Sequence, residues 1–272
     1  MKAVSIINFK GGVSKTTLSL HLACFLSRES RVLLIDIDHQ SSLSIVVLRS
    51  DAWEERVSAG NTVNRIFESF SNRRIQMPGA EIIIPSALDE SRNFNPYPNL
   101  SLVPAQFELD DTEIDLASTT IGNTTLSDWD KRTLLASWLD QINADEEYDY
   151  VIFDCPPATK IVSQNAIACS DGYIVPVIPD ELSSRGVTHF SGLVSSKIDD
   201  KLEYLRTTAR VADNDVPRTY VANTQMAAIA PSLIKTSGNA ASGMTNIHTE
   251  QLAALRRQWR GAVIDTVGKH YI

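Results

Sequence analysis

The sequence predicts an α/β fold, a doubly wound and mainly parallel sheet flanked by helices, and three observations carry that prediction. Short, nearly continuous runs of Val, Ile and Leu recur along the 272 residues, as expected for strands buried on both faces of a parallel sheet. Helix-like stretches alternate with them, the pattern of βαβ crossovers. Two of the apolar runs end in aspartates and a third runs into a Gly-Gly-x-x-Lys turn, so polar chemistry collects at strand ends.

The first run, AVSIIN at 3–8, precedes a helix over 16–28. VLLIDI at 32–37 follows as the second strand. A helix over 62–71 leads to strands at 81–84 (EIII) and 100–103 (LSLV). A helix over 127–142 then feeds the strand YVIF at 150–153. After it come a helix over 160–169, the strand YIVPVI at 173–178 and a helical region over 183–212 in one or two pieces. TYVA at 219–222 reads as the last strand and 249–263 as the last helix. Segments 72–99, with Pro78, Gly79, Pro85, Pro96 and Pro98, and 224–248, rich in Ser, Thr, Asn, Ala and Gly, read as irregular. Without an internal repeat or clear linker, residues 1–272 are expected to form one domain.

Composition bounds the function. A 43% hydrophobic content suits a folded protein with a sizeable core. Three cysteines, Cys24, Cys155 and Cys169, without paired spacing argue against a disulfide framework and against a C-x-x-C site, and point to a reducing, cytoplasmic compartment. No apolar run approaches the roughly 18 residues of a spanning helix, and no export signal is legible. The net charge of −8 gives no global basic footprint, so any contact with nucleic acid needs a local patch.

The chemistry concentrates in NFKGGVSKTT, residues 8–17. It misses the ordinary phosphate-loop pattern G-x-x-x-x-G-K-[ST] at both glycine positions, where Phe9 and Ser14 stand. Its placement between a strand and a helix nevertheless suits an anion, because backbone N–H groups and the positive helix end face that space. Gly11 and Gly12 let the chain curl close to phosphates, Lys15 can reach the β and γ phosphates, and the Thr16 hydroxyl can ligate Mg²⁺. Asp154 closes the strand in YDYVIFDCPP, a position suited to holding Mg²⁺, and Asp36 and Asp38 lie two apart at the end of another strand. These features converge on one sheet edge, where open α/β folds bind ligands. Cys155 reads as a small buried residue.

With these residues in place, the sequence resembles the ParA/MinD group of P-loop ATPases, the deviant Walker A family whose loop is K-G-G-x-G-K-[ST]-[ST]. KGGVSKTT matches it everywhere except Ser14. LIDIDHQSS resembles the family's D-x-D-P-Q segment with His39 in place of Pro, DCPPATKIVSQNAIACSDGYIVPVIPDELSSRG follows its pattern from Walker B onward, and YPNLSLVPAQFEL resembles its N-L-x-L-x-P-A region. The resemblance covers roughly residues 1–48 and 97–190. It implies ATP and Mg²⁺ as ligands and slow hydrolysis of ATP to ADP and phosphate. Residues Lys10, Gly11, Gly12, Val13, Ser14, Lys15, Thr16 and Thr17 would contact the nucleotide. Lys15 would serve the phosphates of its own subunit, while Lys10, the signature lysine, would reach the partner's phosphates across a homodimer. Asp38 would orient the attacking water; Thr16, Asp36 and Asp154 would belong to the Mg²⁺ shell. Asn223 stands either as an adenine-recognising residue or as a plain strand-end Asn. Ser14 is small enough that binding is expected to survive it.

His39-Gln40 after Asp38 resembles the partition branch, ParA and Soj-like proteins. With the motif at residue 10, the chain resembles the short type lacking an N-terminal DNA-reading helix-turn-helix. In that type the ATP dimer holds DNA nonspecifically, and a ParB-like centromere-binding adaptor stimulates hydrolysis, giving a nucleoid-associated protein that segregates plasmid or chromosomal DNA. The candidate DNA-binding residues are Arg256, Arg257 and Arg260 in TEQLAALRRQWRGAV, beside an apolar stripe of Leu252, Leu255, Trp259 and Val263. A solvated basic face on an ordinary helix explains them equally. Lys197, Lys201, Arg206 and Arg210 form a second, acid-diluted group. The alternatives are a related ATPase positioning another cargo and a MinD-like membrane anchor, the latter disfavoured because GKHYI follows the helix. An iron-protein role is disfavoured by the lack of a cysteine pair.

Overall fold

The computed structural model describes residues 1–88, 96–157, 159–234 and 245–265, with the side chains of 181–184 also outside the description. Six strands form one all-parallel sheet: β1 (Lys2–Ile6), β2 (Val32–Asp36), β3 (Leu100–Val103), β4 (Tyr150–Asp154), β5 (Gly172–Val177) and β6 (Gln225–Pro231), in the order β3-β2-β4-β1-β5-β6. The helices are α1 (Lys15–Leu26), α2 (Ser42–Ser58), α3 (Asn64–Ser71), α4 (Leu109–Ser118), α5 (Thr124–Asp130), α6 (Leu134–Gln141), α7 (Ala144–Glu147), α8 (Ile161–Ala168), α9 (Glu181–Leu193), α10 (Asp200–Ala209) and α11 (Asn246–Gln258). A π-helical turn, Val194–Asp199, joins α9 to α10.

Strand β2 explains why the runs read as continuous. All of its residues are buried, and their alternation divides them between two cores. Val32 and Leu34 pack with Ile6, Ala23, Leu43 and Trp53 under α1 and α2. Leu33 and Ile35 pack on the other face with Phe67, Trp138, Ile167 and Phe190, from α3, α6, α8 and α9. Each fully buried large side chain contributes about 1.5–3 kcal/mol. Covering both faces leaves only the strand ends for polar chemistry.

Several sequence expectations need correction. Residues 81–84 make no strand: Ala80–Ile82 is a 3-10 turn, and Ile84 forms a single antiparallel bridge to Leu102. The run at 219–222 is likewise not a strand, and the last one, β6, lies at Gln225–Pro231, inside a segment expected to be irregular. The helix expected over 127–142 is two, α5 and α6, divided at Lys131–Thr133. Helices α2 and α4 were not anticipated. In α2 the apolar residues are interrupted by Arg49, whose φ of 65° and ψ of 163° break the helix; in α4 four acidic residues mask the apolar stripe. The remainder of the two irregular segments, 89–95 and 235–244, lies outside the described residues.

Candidate nucleotide site at the strand ends

The loop leaves the sheet from β1, between β4 and β5, and returns as α1. Asn8 fixes its start: its amide donates to the Pro176 carbonyl at 2.7 Å while its Oδ1 accepts the Lys10 N–H at 3.1 Å. Phe9 packs edge-on against Phe190 at 5.1 Å and beside His189 at 5.8 Å. Val13 is buried, and its carbonyl accepts the Ser232 hydroxyl at 2.9 Å, tying the loop to the end of β6. Gly12 has φ of 69° and Ser14 φ of 67°, both left-handed. Ser14 therefore occupies a conformation that costs a residue bearing a Cβ about 1–2 kcal/mol. A Cβ on Gly11 or Gly12 would meet no atom within 4 Å, so the backbone at both forms an open cradle at the head of α1.

Lys15, the first residue of α1, is 7% exposed, and its ammonium lies 3.4 Å from the Lys10 carbonyl. Burial lowers its pKa, against the opposing pull of Asp38 and Asp154. The Lys10 ammonium forms an ion pair with Asp180, the residue just before α9. Thr16 is half-buried beside Asp154, and Thr17 points to solvent.

The carboxylates take distinct positions. Asp36 and Asp154 end adjacent strands in register. Burial raises both pKa values, and for Asp36 the nearby Asp154 charge adds to the rise. Asp36 accepts the Asp38 N–H at 3.0 Å, the Ser44 N–H at 2.9 Å and the Ser44 hydroxyl at 2.6 Å. These bonds engage it in holding the start of α2. Asp154 accepts the Ser19 hydroxyl through Oδ1 at 2.8 Å, whereas its Oδ2 is buried without a partner among the described residues. A buried carboxylate oxygen left unpaired beside a threonine hydroxyl and a lysine suits Mg²⁺ with its water shell. Asp38, 8% exposed, accepts the Gln40 N–H at 3.0 Å and turns the chain toward Ser41. Cys155 is fully buried with its thiol pKa pushed well up, an inert packing residue.

Asn223 is not at this edge. It precedes β6, whose first residue pairs with Gly172 at the opposite, N-terminal end of β5, so an adenine contact from Asn223 is a misplacement that followed from misreading the last strand. Arg256, Arg257 and Arg260 are exposed on and just after α11, whose Leu252 and Leu255 are buried. Arg256 pairs with Asp265 at 3.3 Å; Arg257 and Arg260 form no ion pair among the described residues. Helix α11 docks on α9, with the Gln258 amide donating to Thr188 at 2.8 Å. Sequence reasoning missed Ser19, Asp180 and Ser232. Ser19 sits one turn after Lys15 on the same face, and Asp180 follows β5 just as Asp38 follows β2, so the strand-end rule had reach enough for Asp180.

The comparisons agree with this geometry. Residues 1–207 match the family model described as an AAA domain. The chromosome partitioning protein ParA of Myxococcus xanthus is 30% identical over 207 residues, 74% of this chain and 62% of that protein. The sporulation initiation inhibitor protein Soj of Bacillus subtilis is 30% identical over 194 residues, 71% of this chain and 64% of that protein. The chain thus spans less than two thirds of the length of these curated relatives. Among solved structures, an ATP complex of McdA from Cyanothece superposes with a TM-score of 0.66 at 19% identity, covering 99% of this chain and 82% of that one. A plasmid partition protein of Borrelia burgdorferi bound to AMPPNP gives a TM-score of 0.60 at 19% identity, covering 100% and 86%. These two share the fold. The loop KGGVSKTT at the head of α1, the strand-end aspartates around Lys15 and the match over residues 1–207 place the chain in the ParA/MinD family of P-loop ATPases.

Proposed function

We propose that the protein is a slow ATPase of the partition type that dimerises on binding ATP and Mg²⁺, holds DNA nonspecifically as the dimer, and releases it after hydrolysis stimulated by a ParB-like adaptor. The observation that carries this reading is the convergence of Lys15, Asp38 and Asp154 on the glycine cradle, with one oxygen of Asp154 buried and without a partner among the described residues. The chemistry that Mg²⁺ would supply here is neutralisation of the charge that develops on the phosphates. Lys15 binds the β and γ phosphates from the head of α1. Thr16 and Asp154 would hold the metal, with Ser19 fixing the orientation of the carboxylate. Asp38 is placed to orient a water against the γ phosphate, its own orientation set by the Gln40 N–H. Lys10 is the residue assigned to the partner's phosphates, where a second cation in trans supplies about 10³–10⁵ in rate in other NTPases.

The DNA surface is assigned to Arg257 and Arg260 at the end of α11, with Arg256 beside them. Two or three charges per subunit give weak binding, of the order of 10⁻⁴–10⁻⁶ M, and a dimer strengthens it by linking two such surfaces. A nucleoid-associated, cytoplasmic location follows from this reading. Among the described residues no helix is long and apolar enough to cross a membrane.

The test is size-exclusion chromatography with light scattering, with and without ATP and Mg²⁺, followed by retention on random-sequence DNA. A shift to twice the monomer mass together with ATP-dependent retention is expected. A dimer that ignores DNA and floats with anionic vesicles would support the membrane-positioning alternative, and one that binds neither would support positioning of another cargo.

A further inference from the structure

We propose that Asp180 is a positioning residue for Lys10: it keeps the lysine's ammonium on its own subunit until the phosphates of a nucleoside triphosphate displace it. The inference rests on the assignment of Lys10 to the nucleotide. Lys10 follows β1 and Asp180 follows β5, and these strands are neighbours, so the sheet itself brings the two groups together at one edge. Their side chains are 45% and 33% exposed. An ion pair in such a setting is weak enough for a polyanion to break.

The surroundings confine the exchange to one side chain. Asn8 ties the loop backbone to Pro176 and to the Lys10 N–H, and Phe9 is packed on Phe190. The Lys10 carbonyl faces the Lys15 ammonium at 3.4 Å. With the backbone held on both sides, Lys10 can leave Asp180 by rotating its own side chain, without moving the loop. The carboxylate also compensates the Lys10 ammonium in a loop whose other lysine, Lys15, is buried. Triphosphate takes over the compensation of the Lys10 ammonium. Removing the carboxylate thus leaves Lys10 available for phosphate from the start.

The experiment measures self-association by sedimentation equilibrium, with a non-hydrolysable ATP analogue and Mg²⁺, for wild type, Asp180→Asn, Asp180→Glu, Lys10→Ala and the Lys10→Ala/Asp180→Asn double variant. Protein concentrations are raised enough to measure the weakened association of Lys10→Ala. Asp180→Asn is expected to tighten association roughly two- to fivefold, Asp180→Glu to stay at the wild-type value, and Asp180→Asn to change nothing in the Lys10→Ala background. Equal effects of Asp180→Asn in both backgrounds, or no tightening in the wild-type background, would overturn the inference while leaving the function of Lys10 standing. Wild-type association by Lys10→Ala would instead overturn the assignment of Lys10 and this inference with it. Thermal melts of each variant establish that it is folded, and Asp180→Ser replaces Asp180→Asn if the latter is not.

Discussion

Asp36 and Asp154 end neighbouring strands in register, both buried, yet among the described residues only Asp154 of the two has an oxygen without a partner. Their environments separate two residues that a sequence reading treats alike. The N–H and hydroxyl of Ser44 and the N–H of Asp38 converge on Asp36, so its charge is spent on holding the turn that starts α2. Asp154 meets the Ser19 hydroxyl on one oxygen and leaves the other toward the Thr16 and Lys15 side.

Opposite phenotypes follow. Asp154→Asn is expected to fold with a wild-type melting temperature and to lose Mg²⁺-dependent nucleotide binding by calorimetry. Asp36→Ala strands three buried donors and should destabilise the chain by about 2–4 kcal/mol in urea titrations. Equal stability loss in both variants would contradict the division of roles.

Ser14 gives the second prediction. At φ of 67° it sits where glycine is free of strain, and its side chain makes no cap bond that would compensate. Ser14→Gly relieves about 1–2 kcal/mol of strain and gives back about 0.4–1 kcal/mol through the more flexible unfolded chain. A net gain of between zero and about 1.6 kcal/mol is expected in thermal melts, with ATP affinity kept or modestly improved. Ser14→Leu should abolish binding; calorimetry showing no loss would displace Ser14 from the triphosphate.

What could be read from sequence, and what could not, follows from where the information resides. The loop, α1, β2 and β4 were legible because a strand buried on both faces is a continuous apolar run, and residues 10–17 carry their chemistry in one contiguous segment. Asp36 could not be told from Asp154, because the difference is made by Ser44, which only folding brings against Asp36. Asp180 was within reach of the strand-end rule, but its pairing with Lys10 was not legible, since 170 residues separate two side chains that parallel strands β1 and β5 set side by side. The error at Asn223 had a local cause: TYVA is as apolar as a strand, but Thr219 bonds the Ala136 carbonyl and Val221 the Ala168 carbonyl, fixing the segment as a connection below the sheet. The Ala-rich run of β6, QMAAIAP, gave too weak a signal to compete with it.

The three site residues assigned to chemistry should fail at different stages. Lys15→Ala removes the buried cation of the cradle and is expected to lose productive nucleotide binding. Lys10→Ala should bind ATP and fail to form the active dimer, and Asp38→Ala should form the dimer and remain in it. Size-exclusion with ATP and Mg²⁺ beside a phosphate-release assay resolves the three. Wild-type turnover by Asp38→Ala would remove Asp38 from the mechanism.

The basic end of α11 is testable through salt. Arg257→Ala and Arg260→Ala together should weaken DNA retention of the ATP form and lower the slope of log affinity against log salt by roughly 0.9 for each lost phosphate contact. ATP hydrolysis without DNA should stay unchanged, because Arg257 and Arg260 are exposed and have no assigned part in the nucleotide site. An unchanged salt slope would return these arginines to an ordinary solvated face and direct attention to Lys197 and Arg210.

Asp199, the last residue of the π-helical turn, predicts a pH dependence of stability away from the nucleotide site. It is buried, its Oδ1 has no partner among the described residues, and burial pushes its carboxyl up to about 6, with the Asp200 charge adding and the Thr224 N–H opposing. Tyr173 and Tyr220 face it, and burial raises both of their pKa values, which keeps these phenols neutral. The folded state therefore holds this proton more tightly than the unfolded chain, whose Asp titrates near 3.9. The sign follows: this group's contribution is most favourable below about pH 4, declines as pH rises through about 6, and above that is a constant penalty. Discounted for partial solvent access, the penalty is of order 1 kcal/mol. Asp199→Asn keeps an acceptor for Thr224 and removes the ionisation. It is expected to raise the melting temperature by about 2–4 °C at pH 8 and by nothing at pH 4. A gain of equal size at both pH values would mean that the substitution acts through packing, and that the carboxyl stays ionised in the fold at no cost.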